Sequence, residues 1–155
     1  MNRTQKLALI MLPPIIGLLC YNFPFMAISL PAASLDCTGI ELMIDFSFVI
    51  DHTIESDSKN WYLIASYVLA YVSIIFFYQV SKSNRKALYA GISSLGVSGL
   101  LLLFRNTFPA YYGVPASTLL YNGISLNFRF GWWLTFLGFL ASGAGAIWMY
   151  QNPEV

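Results

Sequence analysis

Three stretches of the chain, 61–80, 87–104 and 130–150, are continuously apolar over about the 20 residues of helix that a bilayer requires. The first holds no charged residue, the second is closed by Arg105, and the third opens on Trp132-Trp133 and closes on Trp148 and Tyr150. Aromatic residues at span ends suit the headgroup region, where an amphipathic ring has both an apolar and a wet side. A fourth apolar run, 7–30, is less regular, because Pro13-Pro14 and Pro24 must kink or break a helix there. Arg3 and Lys6 precede it, as in a signal peptide, but the run is longer than an h-region and is read as a retained helix.

Between the spans the pattern changes. Ile40, Leu42, Ile44, Phe46, Phe48 and Ile50 alternate with mainly polar neighbours, and Ile124, Leu126, Phe128 and Phe130 do the same. Period two predicts strands over 40–50 and 124–130. The two segments also resemble each other: Gly39-Ile40-x-Leu42-x-x-x-Phe46 matches Gly123-Ile124-x-Leu126-x-x-x-Phe130, 84 positions on. The expected fold is an all-α membrane protein, a four-transmembrane-helix bundle under a small extracytoplasmic β-layer, with a tandem helix–strand–helix repeat. Residues 1–155 make one integral membrane domain, with outer loops at 31–60 and 105–129 and a cytoplasmic turn at 81–86.

Composition agrees with that outline. Only 10% of residues are charged, against roughly 25% in an ordinary soluble domain, which excludes a water-soluble fold. Net charge is +1 and no Lys/Arg run could follow a phosphate backbone, so nucleic acid is excluded as a partner. Arg3, Lys6, Lys82, Arg85 and Lys86 fall on one side, against Lys59, Arg105 and Arg129 on the other. The positive-inside rule then puts both termini in the cytoplasm. Short loops, and an only N-x-S/T sequence (Asn2-Arg3-Thr4) on the cytoplasmic side, point to a bacterial inner membrane. Six of the seven acids, Asp36 to Asp57, crowd the first outer loop. If the two strands pair, Asp45 faces Arg129, and Arg105 is the other ionised residue of the second loop.

Candidate chemistry is sparse. The single histidine, His52, lies beside Asp51 and near Glu55, too few ligands for a zinc site, and no span carries an axial ligand for haem. Cys20 and Cys37 are expected to be free thiols. No cofactor, metal or catalytic set is expected. Tyr67 and Tyr71, at i, i+4, share a helix face. The spans instead carry small residues at four-residue spacing: Gly138, Ser142 and Ala146 beside Ala141 and Gly145, and Ala90, Ser94 and Ser98. Such faces let backbones approach closely, within the chain or against a partner helix. The outline resembles that of claudin-like proteins, but their Trp-Gly-Leu-Trp and paired-Cys loop pattern is absent and no property is carried over. The expected role is a non-catalytic accessory or scaffold subunit, surrounded by membrane lipids, that binds other integral membrane subunits through its small-residue helix faces and its outer loops. A small transporter or channel component, using the Pro-broken first helix, is the second reading.

Overall fold

A computed structural model describes residues 3–30, 33–44, 60–80, 83–108 and 123–152. Helix α1 (Arg3–Leu19) passes through a 3-10 turn, Cys20–Asn22, into strands β1 (Pro24–Leu30) and β2 (Ala33–Thr38). A short helix α2 (Gly39–Ile44) follows, then α3 (Trp61–Gln79), α4 (Asn84–Thr107), β3 (Ser125–Phe128) and α5 (Phe130–Gln151). The described residues are mostly helical, and α3, α4 and α5 are each long and apolar enough to cross a membrane. These coincide with the expected spans at 61–80, 87–104 and 130–150, although α4 continues through Arg105, the first residue of the expected loop at 105–129.

The expected first span, 7–30, is not one helix. Its apolar helical part ends at Asn22, and Pro24 opens a strand instead of kinking a helix. Pro13 and Pro14 lie inside α1, which is continuous from Arg3 to Leu19. β1 is the central strand of a three-stranded antiparallel sheet ordered β2-β1-β3. Phe25, Met26, Ala27 and Ile28 are therefore buried on both of its faces. A strand buried on both sides is apolar throughout, and such a run cannot be told from helix by periodicity alone.

A second correction concerns 40–50. Residues 39–44 are helical, and 45–50 lie outside the described residues. The partner of β3 is β1, with Met26 opposite Phe128 and Ile28 opposite Leu126. The helix wins locally because Thr38 and Glu41 form a reciprocal capping box. The Thr38 backbone N–H donates to Glu41 Oε2 at 2.7 Å, and the Glu41 N–H donates to Thr38 Oγ1 at 3.2 Å. The matched glycines thus do different work. Gly39 begins a helix in contact with the Tyr21 ring, where a Cβ would come within 2.9 Å, whereas Gly123 takes the left-handed φ of 64° that precedes β3.

The four long helices form a ring in which α3 packs on α4, α4 on α5, α5 on α1 and α1 on α3. Each seam carries at least one hydroxyl bond among the described residues. Ser66 donates to its own Leu63 carbonyl at 2.8 Å and so accepts from Tyr21 Oη at 2.7 Å, joining the end of α1 to α3. Ser73 and Ser94 hydroxyls meet at 2.5 Å between α3 and α4. Ser98 donates to the Phe136 carbonyl at 3.3 Å between α4 and α5, and Thr135 reaches the Gly17 carbonyl at 3.0 Å between α5 and α1.

Small residues make these approaches possible. A Cβ added at Gly138 would lie 2.8 Å from the Pro13 carbonyl oxygen, and one at Gly143 3.2 Å from that of Gly91. The outward faces are apolar: Val68, Ile75, Ile92, Leu103, Leu134 and Leu137 are all exposed, while Ser66, Ser73, Ser94, Ser98 and Thr135 are buried. That inversion fits a hydrocarbon surround, in which the polar groups must be satisfied internally. The largest apolar cluster lies where the sheet meets the bundle, around Tyr21, Phe25, Leu63, Phe104 and Trp132. A smaller one, Phe77, Val80, Ala87, Ala90 and Ala146, closes the opposite end.

Two glycines give a direct check. At Gly131 a Cβ would meet the Pro24 carbonyl oxygen at 2.6 Å, so Gly131→Ala should cost about 1–3 kcal/mol by forcing backbone apart. At Gly99 nothing lies within 4 Å, so Gly99→Ala should be neutral or stabilise by up to about 1 kcal/mol. Unfolding curves in detergent micelles compare the two.

Candidate functional site

The sheet end of the bundle gathers most of the described residues' chemistry. Asp36 lies on β2 opposite Ala27, and Ala27 lies opposite Asn127, so β1 separates β2 from β3. Arg129 follows β3, and its backbone N–H extends the ladder by donating to the Phe25 carbonyl at 2.9 Å. From there its Nε reaches across β1 to Asp36 Oδ1 at 3.1 Å. Both side chains are about half exposed, so the pair contributes no more than about 1 kcal/mol and serves register more than stability. The acid that meets Arg129 is Asp36; Asp45, the partner expected from the matched strands, lies outside the described residues.

Arg105, in the last turn of α4, is held by aromatic faces. Its guanidinium carbon sits 5.6 Å from the Phe128 ring centre, 5.3 Å from that of Trp132 and 5.2 Å from that of Trp133. Such contacts contribute about 0.5–1 kcal/mol each at an exposed site and more where water is excluded. Trp132 itself is fully buried and stacks on Phe136 at 5.1 Å with the planes 9° apart. Arg105 and Trp133 remain exposed, as do Phe23 and Phe130, whose rings meet each other at 5.9 Å by the start of α5. The sheet end of α5 therefore presents exposed aromatic rings beside a cation held on Trp132 and Trp133.

The small-residue faces are spent largely within the chain. Ala90, Ser94, Ser98, Ser142 and Ala146 are buried. Gly138 packs on Pro13 and Gly145 on Ile10, both of α1. Ala141 is the exposed member of the set. Tyr67 and Tyr71 do share a face, and their hydroxyls bond to each other at 3.2 Å. His52, Asp51 and Glu55 lie outside the described residues, among which no group of three or more metal-ligating side chains occurs.

Sequence reading missed the seam hydroxyls of Ser66, Ser73 and Thr135, and it missed Tyr21. The signal was available for α3, where Ser66 and Ser73 recur at seven residues on the face opposite Val68 and Ile75. It was available for α2 in the spacing Thr38-x-x-Glu41. No signal in one chain identifies a hydroxyl that bonds to a distant backbone carbonyl, as Thr135 does.

No known protein family, curated protein or solved structure matches this chain. Its function therefore rests on its own geometry.

Cys20 and Cys37 are free and buried. Burial, then the nearby carboxylates of Glu41 and Asp36, pushes the Cys37 thiol up to about 11. An ordinary thiol, near 8.5, is roughly a quarter thiolate at pH 8, whereas Cys37 should be only about 0.1% thiolate. A hydrophilic maleimide at pH 8 should leave both cysteines unlabelled in the folded protein and label both after denaturation in dodecyl sulfate. Rapid labelling of Cys37 before denaturation would contradict this placement.

Proposed function

We propose that this chain is a non-catalytic accessory subunit that spans a bacterial inner membrane four times, with both termini cytoplasmic, and steadies a larger membrane complex. What supports the reading is the bundle's closure on itself. Every seam is tied by a hydroxyl, and the small residues that would admit a mobile or foreign helix already hold the chain's own helices together. A rigid body of this kind is suited to contact. In this reading the partner surface is the sheet layer with its aromatic rim, the loop half of the expected interface, because the small-residue faces are largely occupied within the chain. Arginine and large aromatics are enriched in interface hot spots because they bury much area at fixed geometry. Arg105 stacked on Trp133, together with exposed Phe23 and Phe130 by the start of α5, offers that combination. The fourth crossing in this reading is α1 with its 3-10 turn, whose apolar part, Leu7–Asn22, is shorter than the other three helices.

Gentle detergent extraction at native expression level, followed by native sizing and identification of co-purifying chains, tests the proposal. A stable heteromeric complex is expected, weakened at least tenfold in recovery by Trp133→Ala with Arg105→Ala. A free monomer of 17.4 kDa plus micelle would contradict it. Solute flux in proteoliposomes by the isolated chain would favour the transporter reading instead.

A further inference from the structure

The outward side of the α3/α4 seam is not filled. A groove of about 580 Å³ runs there along Leu69, Val72 and Phe76 of α3 and Tyr89, Ile92 and Gly96 of α4. It continues past the shared Leu69 and Val72 into a second hollow of about 400 Å³ beside Trp61, Ala65 and Leu100. From Phe76 to Trp61 the helix rises about 22 Å, more than the half-thickness of about 15 Å that one leaflet's hydrocarbon occupies. The lining is apolar with two exceptions. Ser93 donates its hydroxyl inward, to the Tyr89 carbonyl at 2.8 Å and the Ala90 carbonyl at 3.1 Å. Lys86 stands at one end.

The lysine is positioned, not loose. Its Nζ lies 5.4 Å from the Phe76 ring centre and 5.9 Å from that of Tyr89, the two rings that flank the groove there. The acids among the described residues, Asp36 and Glu41, belong to the sheet and α2, away from the α3/α4 groove. Arg85 is exposed beside Lys86, and both lie in the first turn of α4, whose free amides carry the positive end of the helix dipole. The groove thus asks for an occupant that is apolar along most of its length and anionic at one end.

We propose that the α3/α4 groove binds one anionic phospholipid, its phosphate on Lys86 and an acyl chain lying along Phe76, Val72 and Leu69. The inference rests on the reading that α3 and α4 sit in a bilayer. A basic residue that faces the headgroup favours an anionic lipid by about fivefold, and of Arg85 and Lys86 only Lys86 lines the groove. The groove adds to this by placing one such residue at the end of a chain-shaped channel, and Gly96 lets Leu69 lie close against α4 along its wall, since a Cβ there would meet Leu69 at 2.8 Å.

Native mass spectrometry of the detergent-purified chain, titrated with phosphatidylglycerol or phosphatidylcholine of equal chain length, measures the preference. The wild type should retain phosphatidylglycerol at least fivefold better. Lys86→Gln should remove that preference, while Arg85→Gln should change it less than twofold. Equal binding of the two lipids, or equal losses in the two variants, would overturn the proposal, the latter by reducing it to a diffuse surface charge. A photoreactive phenylalanine at position 92, activated in intact membranes, provides a readout independent of purification. A lipid adduct is expected, and a polypeptide adduct would show that a partner helix fills the groove. Recovery of the chain from the soluble fraction would instead defeat the membrane reading itself, separately from the lipid site.

Discussion

The structure depends on how helices are held together where hydrocarbon surrounds them. Lipid tails are as apolar as leucine, so burying leucine against leucine gives no drive for association, and close packing with interhelical hydrogen bonds must supply it. Each seam of this bundle meets that requirement in the same way, by a hydroxyl bond beside a small residue: Tyr21–Ser66, Ser73–Ser94, Ser98–Phe136 and Thr135–Gly17. Each bond contributes only about 0.6 kcal/mol on average. Their value lies in direction, since each fixes one helix in rotation against the next. The inside-out distribution of serine and leucine follows from the same constraint.

The sheet depends on the bundle in turn. β1 is an apolar strand with no polar face, and it is viable only because Trp132, Phe104 and Tyr21 from the helix ends cover it. Gly131 allows the first turn of α5 to lie against the Pro24 and Cys20 carbonyls, so the strand and the helix ends share one core. Asp36 and Arg129 then bridge the two outer strands across β1. The aromatic rings beside Arg105 stand on that shared core, and they are held rigidly for this reason.

How far the sequence discloses this varies by element. The three helices that can cross a membrane are legible within a few residues, because an uninterrupted apolar run of that length has few other uses. The strand at 124–130 is legible from its alternation and observed at Ser125–Phe128. The strand expected at 40–50 is not observed over 39–44, because a short alternating run is weaker than the Thr38–Glu41 capping box. Residues 24–30 read as helix because a strand buried on both faces has no alternation to show. The strand match points Arg129 to Asp45, whereas the acid that meets it is Asp36, because β3 pairs with β1 and β1 with β2. Small residues are recognisable as contact faces; that Gly138 and Gly145 meet α1 depends on the order of helices around the ring.

The central claim, that these helices turn hydroxyls inward and leucine-like residues toward lipid, is most directly measured on α3. A nitroxide scan of residues 61–79 in liposomes, read by collision with oxygen and with a water-soluble nickel chelate, resolves the two faces. Oxygen accessibility should oscillate with the helical period, highest at Val68 and Ile75 and lowest at Ser66, Ala70 and Ser73, with the nickel chelate excluded from the middle of the helix throughout. Maxima for the nickel chelate at Val68 and Ile75 would place that face in water and contradict the account.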